Sequence, residues 1–222
     1  MKTILITLVI IAAAAQSGFC QDVNWRAMRM DQPNRIQLNL GYDYGAVTQV
    51  AYSRAFALFR PVLVGLHCSL PMGNQLVDDF SARLGGQMEV VEWRGFSATV
   101  KIASNFRRYE NDLVRIVSFG ADFSAVAGYY DPDWHAAAEF GFDKAVTTQL
   151  VHSDVMKQFG FRGIRDGWYL PTGGNFYYGI QAGKTIGEWA DVTLRLGMTN
   201  AQFDDENAML PYYLQLGFGV RF

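Results

Sequence analysis

Large apolar residues alternate with small or polar residues along most of this chain. At the C-terminal end, one parity carries Tyr212, Leu214, Leu216, Phe218, Val220 and Phe222, and the other carries Tyr213, Gln215, Gly217, Gly219 and Arg221. A period of two residues is typical of a β-strand, whose successive side chains point to opposite faces. The same alternation predicts further strands near residues 36–44, 48–56, 60–70, 80–90, 96–103, 117–129, 135–145, 175–185 and 191–199.

These ten segments predict an all-β chain that forms a closed antiparallel transmembrane β-barrel. Each is roughly ten residues long, the length that a tilted strand needs to cross a bilayer. The non-apolar parity is rich in glycine, which suits a crowded, narrow lumen. Because the pattern is weaker at residues 48–56 and 60–70, eight strands are the alternative count. A soluble exported β-sandwich would have to explain why a large apolar face recurs on almost every strand.

The connections between the predicted strands are unequal in length. The four at one end are short, near residues 57–59, 92–95, 131–134 and 186–189, whereas the longest at the other end cover residues 153–174 and 200–210. The remaining connections at the long end fall near residues 45–47, 71–79 and 107–112. Outer-membrane barrels have short periplasmic turns and longer outer loops. The pattern therefore predicts that both termini face the periplasm.

Aromatic residues gather at both ends of the predicted strands, as in the interfacial belts of membrane proteins. The periplasmic rim is expected to carry Trp93, Tyr129, Tyr130, Trp134, Trp189 and Phe222. The outer rim is expected to carry Tyr42, Tyr44, Tyr109, Phe176, Tyr178 and Tyr212.

The N-terminus has the order of a secretory signal peptide. Lys2 precedes an apolar run that is broken only by Thr7, and small and polar residues lead to Cys20. Cleavage after Cys20 or after Ala15 fits this order, and Cys20 is alternatively a lipid-modified cysteine. We expect residues 1–20 to be the signal, residues 21–34 to be a short periplasmic tail, and residues 35–222 to form the barrel.

Charge and cysteine content exclude some classes of function. Loss of residues 1–20 removes Lys2 and no acid, so the net charge changes from −2 to −3, with 18 basic and 21 acidic residues. This near-neutral balance gives no indication of a nucleic-acid partner. Cys68 is then the one remaining cysteine, so no internal disulfide is possible. We expect Cys68 to lie at or near the lipid-facing surface.

The last residues of the chain resemble the terminal assembly signal of small bacterial outer-membrane β-barrel proteins. Gln215, Gly217, Val220 and Phe222 match its polar residue, glycine, hydrophobic residue and terminal aromatic. The resemblance implies a location in the outer membrane, contact with its lipid and lipopolysaccharide, and recognition by the barrel-assembly machinery. It does not identify a subfamily with a known activity.

The polar parity carries ten charged residues that we expect in the lumen: Asp43, Arg83, Glu89, Lys101, Asp122, Glu139, Asp143, Asp191, Arg195 and Arg221. One interpretation is an ion or solute path. The other is a plug of mutually paired charges, because buried charges need partners and small barrels fill their interiors with side chains. The similar numbers of acids and bases favour pairing.

The longest predicted outer loop, residues 153–174, is rich in aromatic and arginine residues. Its candidate docking residues are Phe159, Phe161, Arg162, Arg165, Trp168 and Tyr169. It either binds a protein or ligand or folds over the barrel mouth as a lid.

Other polar groups near the outer rim have two interpretations each. Asp204, Asp205 and Glu206 offer hard oxygen ligands to a divalent cation, although they lack the ligand spacing of a dedicated site, so a solvated acidic loop is favoured. Arg107 and Arg108, next to Tyr109, suit lipopolysaccharide phosphates or form a solvated pair at the rim.

His152, Ser153 and Asp154 form the most enzyme-like cluster, but neighbours on a strand point to opposite faces. We therefore assign no catalytic, cofactor or metal residue. The leading hypothesis is a non-enzymatic accessory barrel that binds a partner protein through its outer loops or rim. A narrow channel for ions or small solutes is the second hypothesis, and a lipid-modifying enzyme is the third.

Overall fold

The computed structural model describes residues 23–43, 45–73, 78–159, 164–170, 173–202 and 210–222. Its elements are eleven strands and one short helix, α1 (Asp154–Phe159). The strands are β1 (Asn34–Tyr42), β2 (Ala46–Ala57), β3 (Pro61–Pro71), β4 (Asp79–Trp93), β5 (Phe96–Glu110), β6 (Val114–Tyr130), β7 (Trp134–His152), β8 (Gly167–Tyr169), β9 (Gly174–Ile186), β10 (Ala190–Ala201) and β11 (Tyr212–Arg221).

Ten of these strands close into an antiparallel barrel. The order around the sheet is β6-β5-β4-β3-β2-β1-β11-β10-β9-β7, and pairing of β6 with β7 completes the circle. The remaining strand, β8, is an addition to β7. The predicted fold class is confirmed, with ten strands rather than eight, because β2 and β3 pair along their whole lengths. Within the described residues, no helix is long and apolar enough to cross a membrane.

The two faces of the sheet differ as the alternation predicts. On β5, Ser97, Thr99 and Lys101 are buried inside the barrel, whereas Val100 and Ile102 are 39% and 57% exposed on its outer surface. The same inside-polar, outside-apolar arrangement recurs on the other barrel strands. The exterior is therefore an apolar belt, and the core of the molecule is polar.

The connections divide the barrel into a turn side and a loop side. Turn-side connections are residues 58–60, 94–95, 131–133 and 187–189, close to the predicted positions. Arg94 and Gly95 both have positive φ, 48° and 88°, as a two-residue type I′ hairpin requires. On the loop side, the first connection lies at residues 43–45 rather than 45–47.

The strands β5, β6 and β7 are longer than the sequence pattern indicates. The connection expected at residues 107–112 is wrong, because β5 continues through Glu110 and leaves only residues 111–113 as a turn. Glu110 pairs with Arg115 and Val114 pairs with His152, so these strands rise above the rest of the loop-side rim.

The lead-in to β1 folds into the turn-side end of the barrel. Val23, Asn24 and Trp25 are buried inside the turn-side end of the barrel. The Trp25 indole N–H donates to Thr99 Oγ1 at 2.7 Å, and Asn24 Nδ2 donates to the Asp131 carbonyl at 2.7 Å. Burial of an indole and satisfaction of its donor explain why the segment folds inward.

Two residues of the expected aromatic girdles face inward instead. Tyr130 is 2% exposed and stacks on the His135 ring, and Tyr109 packs on the buried cluster of Val114, Ile116 and Leu150. Both residues occupy inward-facing positions of their strands, whereas the prediction relied only on aromatic residues at strand ends. The girdle residues that lie at the surface are Tyr42, Trp93, Tyr129, Trp134, Phe176, Tyr178, Trp189, Tyr212 and Phe222, and Tyr44 lies outside the described residues.

Candidate functional site

The barrel interior gathers all ten of the charges expected in the lumen. Each is at most 7% exposed: Asp43, Arg83, Glu89, Lys101, Asp122, Glu139, Asp143, Asp191, Arg195 and Arg221. Arg35 and Arg107 join them at 4% and 3% exposure. Six acidic and six basic residues among the described ones are therefore buried together inside a narrow barrel.

A compact ion pair occupies the middle of the interior. Arg195 Nε donates to Glu139 Oε1 at 2.5 Å, and the Tyr213 hydroxyl donates to the same oxygen at 2.6 Å. The Arg195 guanidinium also lies 4.4 Å from the Tyr213 ring centroid and 5.6 Å from that of Tyr177. Short charge-assisted bonds and cation–π contacts together compensate the desolvation of both charges.

Glycines on the inward parity make room for the two tyrosines. A Cβ at Gly141 would lie 2.2 Å from Tyr177 Cζ, and a Cβ at Gly179 or Gly197 would lie within 2.4 Å of the Tyr213 hydroxyl oxygen. Side chains at these positions would displace the rings. The glycine-rich inner face is therefore the complement of large polar side chains that reach across the lumen.

A second cluster links β4, β5, β6, β7 and β9. Asn105 Nδ2 donates to Asp143 Oδ1 at 2.7 Å, and Arg83 Nη2 lies 3.6 Å from Asp143 Oδ2. The Tyr177 hydroxyl donates to Asp122 Oδ1 at 3.0 Å. Because Asp122 and Asp143 are cross-strand neighbours, Arg83 supplies the positive charge that this acidic pair requires.

The arginine pair near Tyr109 is divided between the two faces of β5. Arg107 points inward and binds Asp79 through Nε and Nη2, both at 3.0 Å. Arg108 points outward and contacts Glu110. The prediction that both arginines could touch lipopolysaccharide phosphates is therefore wrong for Arg107, which is committed to Asp79 inside the barrel.

Two small cavities lie near the turn-side end, next to Val23. One is lined by Arg35, Asp191 and Arg221, and the other by Gln37, His67 and Gln87. Each has a volume of about 20 Å³. This is close to the space for one water molecule and well below that for a typical solute.

The loop-side rim carries an ordered insert between β7 and β9, which we call the rim insert (residues 154–159 and 164–170). It consists of α1, which begins after Ser153, and β8, which pairs with Thr148–Leu150 of β7. The Ser153 hydroxyl accepts a hydrogen bond from the Met156 backbone N–H at 3.3 Å, as an N-cap residue does. The expected loop is thus a folded element.

Asp166 ties the rim insert to the end of β7. Its Oδ1 accepts a bond from the His152 backbone N–H at 2.8 Å and lies 2.9 Å from His152 Nδ1, and its Oδ2 lies 2.7 Å from Lys157 Nζ. The bond from Lys157, with those from His152, holds the pKa of Asp166 well below its usual range. The bond to Asp166 in turn raises the pKa of Lys157.

The expected docking residues are partly described by the structure. Arg165, Trp168 and Tyr169 are exposed. The Trp168 ring stacks on the Phe119 ring of β6, with 6.2 Å between the ring centroids. Phe159 is the last residue of α1. Phe161 and Arg162 lie outside the described residues, as do Asp204, Asp205 and Glu206.

The enzyme-like cluster at the rim is not assembled in the order that the sequence suggested. His152 pairs with Asp166 and not with Asp154, while Ser153 caps α1. In the part of the chain that the structure describes, no group of three or more His, Cys, Asp or Glu residues is placed to hold a metal ion.

The four residues of the terminal signal alternate along β11. Gln215 is 1% exposed and lies 3.5 Å from Arg195 Nη1, and Gly217 faces the same interior. Val220 lies on the outer parity, and Phe222 is 52% exposed at the turn-side rim. Cys68 lies half-buried on the outer parity of β3, next to inward-facing His67.

Sequence reasoning missed several interior residues. Arg35 shares the parity of Gln37 and Asn39, so the alternation already marked it as inward-facing. Tyr177 and Tyr213 lie on the inward parity that the alternation gave them, but the sequence did not show that their hydroxyls bond to Asp122 and Glu139. Trp25 had no such signal, because it precedes the first strand and its burial depends on the completed barrel.

Comparisons with known proteins give no family for this chain. No family model matches it, and a search of curated proteins finds no match.

The Glu139–Arg195 pair provides a direct test of the interior. Glu139→Gln leaves the Arg195 charge buried without its counter-ion, so we expect the free energy of unfolding to fall by about 3 kcal/mol or more. The matched control is Glu188→Gln, since Glu188 pairs with Arg29 on the surface and should contribute about 0–1 kcal/mol. Urea unfolding of the refolded chain measures both. Equal losses in the two variants would contradict this account.

Asp166 predicts how the rim insert responds to pH. Because its folded-state pKa is lowered, its stabilising contacts are fully present above the ordinary Asp pKa of about 4 and are lost only as pH falls through the lower folded value. Hydrogen exchange at the His152 amide should therefore stay slow relative to the unfolded chain at pH values near the ordinary Asp pKa.

Removing the Asp166 charge by substitution tests the same contacts at neutral pH. Asp166→Asn should speed exchange at the His152 amide severalfold, whereas Asp154→Asn, on the exposed first turn of α1, should not. Loss of protection in wild type around the ordinary Asp pKa, or equal effects of the two variants, would show that Asp166 does not tie the insert.

Proposed function

We propose that this chain is a non-enzymatic outer-membrane barrel with a closed interior, and that it acts as an accessory component by binding a partner membrane protein at its loop-side rim. The observation that carries the proposal is the combination of a lumen filled by paired charges and an ordered rim insert with exposed apolar residues.

The exterior of the barrel supports a location in a bilayer. Large apolar side chains are exposed on all ten barrel strands, including Leu38, Leu66, Phe140 and Leu216 at 43–56%. Soluble monomers rarely expose apolar patches beyond a few hundred Å². A closed sheet also satisfies its backbone internally, which hydrocarbon surroundings require.

The interior supports a role other than conduction. Charged side chains from different strands meet in the lumen, as in the pairs Arg195–Glu139 and Arg83–Asp143. The lead-in adds Trp25 at the turn-side end. Moving an ion through this interior would require breaking several buried ion pairs, each of which is costly to separate.

The rim insert supports partner binding. Trp168 and Leu170 are 54% and 70% exposed although the backbone around them is held by β7 and by Asp166. An exposed tryptophan on an ordered element loses little conformational entropy on binding, and tryptophan is enriched among residues that dominate interface energies. The partner is expected to present an apolar surface to Trp168 and Leu170, and an acidic group to Arg165.

A pull-down tests the proposal. The tagged chain is recovered from mildly solubilised outer membranes after brief crosslinking, and stoichiometric co-purifying proteins are identified. Trp168→Ala combined with Leu170→Ala should reduce recovery of the partner by at least about tenfold, because loss of a central tryptophan typically costs 2 kcal/mol or more.

The control variant is Trp189→Ala, which removes a similarly exposed tryptophan, 52% exposed, from the turn side. Partner recovery should be unchanged in this variant. Recovery of the barrel alone from wild-type membranes, or equal loss of the partner in both variants, would overturn binding at the rim.

A further inference from the structure

Two buried arginines share one carboxylate at the turn-side end of the barrel. Arg35 on β1 and Arg221 on β11 are cross-strand partners, 4% and 7% exposed. Asp191 Oδ2 lies 3.6 Å from Arg35 Nη2, and Asp191 Oδ1 lies 3.3 Å from Arg221 Nη2. Among the described residues, Asp191 is the one acidic side chain within 4.0 Å of either guanidinium. The cluster therefore has an excess of one positive charge.

Several donors of this cluster have no acceptor among the described residues. Arg35 Nε, Arg35 Nη2 and Arg221 Nε are buried without a hydrogen-bond partner. In contrast, Arg107 and Arg195 each direct Nε to a carboxylate. Because unsatisfied buried donors on a charged group are costly, the free N–H groups of Arg35 and Arg221 indicate a missing acceptor.

The backbone holds both guanidinium groups in place. Arg35 lies over Gly219, where a Cβ would be 2.9 Å from Arg35 Nε. Arg221 Nη1 donates to the Ala27 carbonyl of the lead-in, and the Thr185 hydroxyl donates to Asp191 Oδ1 at 3.1 Å. These contacts position the Arg221 guanidinium and the Asp191 carboxylate, while the Arg35 guanidinium packs against Gly219.

The cavity beside these arginines sets the size of the acceptor. Its volume is about 20 Å³, and its other walls include Met28, Gln32 and Leu63. A space of this size suits a species little larger than a water molecule better than it suits phosphate or a larger oxyanion. Gln32, another lining residue, has its Oε1 buried without a hydrogen-bond partner. A flip of this amide would present its NH₂ group to the cavity instead.

We propose that Arg35 and Arg221 bind one small monovalent anion, chloride in the cell, in this cavity. A single negative charge neutralises the excess positive charge of the cluster. A halide also accepts hydrogen bonds from the N–H groups that Asp191 leaves without an acceptor. The bound ion would tie together β1, β11 and the lead-in. The site is separate from the rim insert and does not depend on partner binding.

Chloride dependence of stability tests the site. Refolded full-length mature chain in zwitterionic detergent is unfolded with urea in sodium chloride or in sodium gluconate at equal ionic strength, and chloride NMR line broadening reports binding directly. A ligand that binds only the folded state stabilises it in proportion to the logarithm of its concentration. Wild type should be more stable in chloride and should broaden the chloride signal saturably, while gluconate is too large to substitute.

Three variants make the test specific. Arg35→Gln should weaken chloride affinity by about tenfold or more, the effect of losing a charged hydrogen-bond donor. Asp191→Asn should strengthen chloride affinity, because it removes the competing negative charge. Arg54→Gln, on the exposed outer face of β2, should leave chloride affinity unchanged.

The opposite results are equally clear. Identical stability of wild type in chloride and gluconate without saturable line broadening would overturn the site. So would an unchanged chloride affinity in Arg35→Gln. If Arg35→Gln does not fold, the Asp191→Asn variant decides, and weaker chloride binding in that variant would also overturn the proposal.

Discussion

Closure of the sheet between β6 and β7 is the constraint from which the other features follow. Once ten strands form a circle, each strand pairs with a neighbour on both sides, and the period of two residues sends alternate side chains inward and outward. The inward set then meets in a narrow space, where the buried charges are at most 7% exposed. Paired charges, tyrosine hydroxyls bonded to carboxylates and glycines beneath the rings are the solutions that this chain adopts.

Tyr177 and Tyr213 show how the interior is fitted together. Each large ring lies over a glycine of a neighbouring strand, and each hydroxyl donates to an acid. Steric and electrostatic requirements are met by the same side chains, so substitution of a single member affects packing and charge together. In our proposal, recognition falls to the exposed rim, where Trp168 lies on β8.

Much of the barrel could be predicted from the sequence, because alternation is a local signal that closure preserves. The ten charges expected inside the barrel lie there, as their parity on each strand indicated. Long-range features could not be predicted. Trp25 is buried because the completed barrel places Thr99 where it accepts the indole hydrogen bond. Tyr130 points inward and stacks on His135, although an aromatic residue at a strand end suited a girdle. The pairing of His152 with Asp166 likewise depends on how residues 154–170 fold back onto β7.

We propose that paired side chains close the interior of a membrane-inserted barrel. The most direct measurement is single-channel recording from the refolded chain, residues 21–222, in planar bilayers. Insertion is verified on the same preparation in liposomes by protease protection of the strands. The account predicts verified insertion without discrete conductance steps at moderate voltage. Reproducible open steps from an inserted, folded chain would contradict it, because they would show that the charges in the lumen line a path and do not seal it.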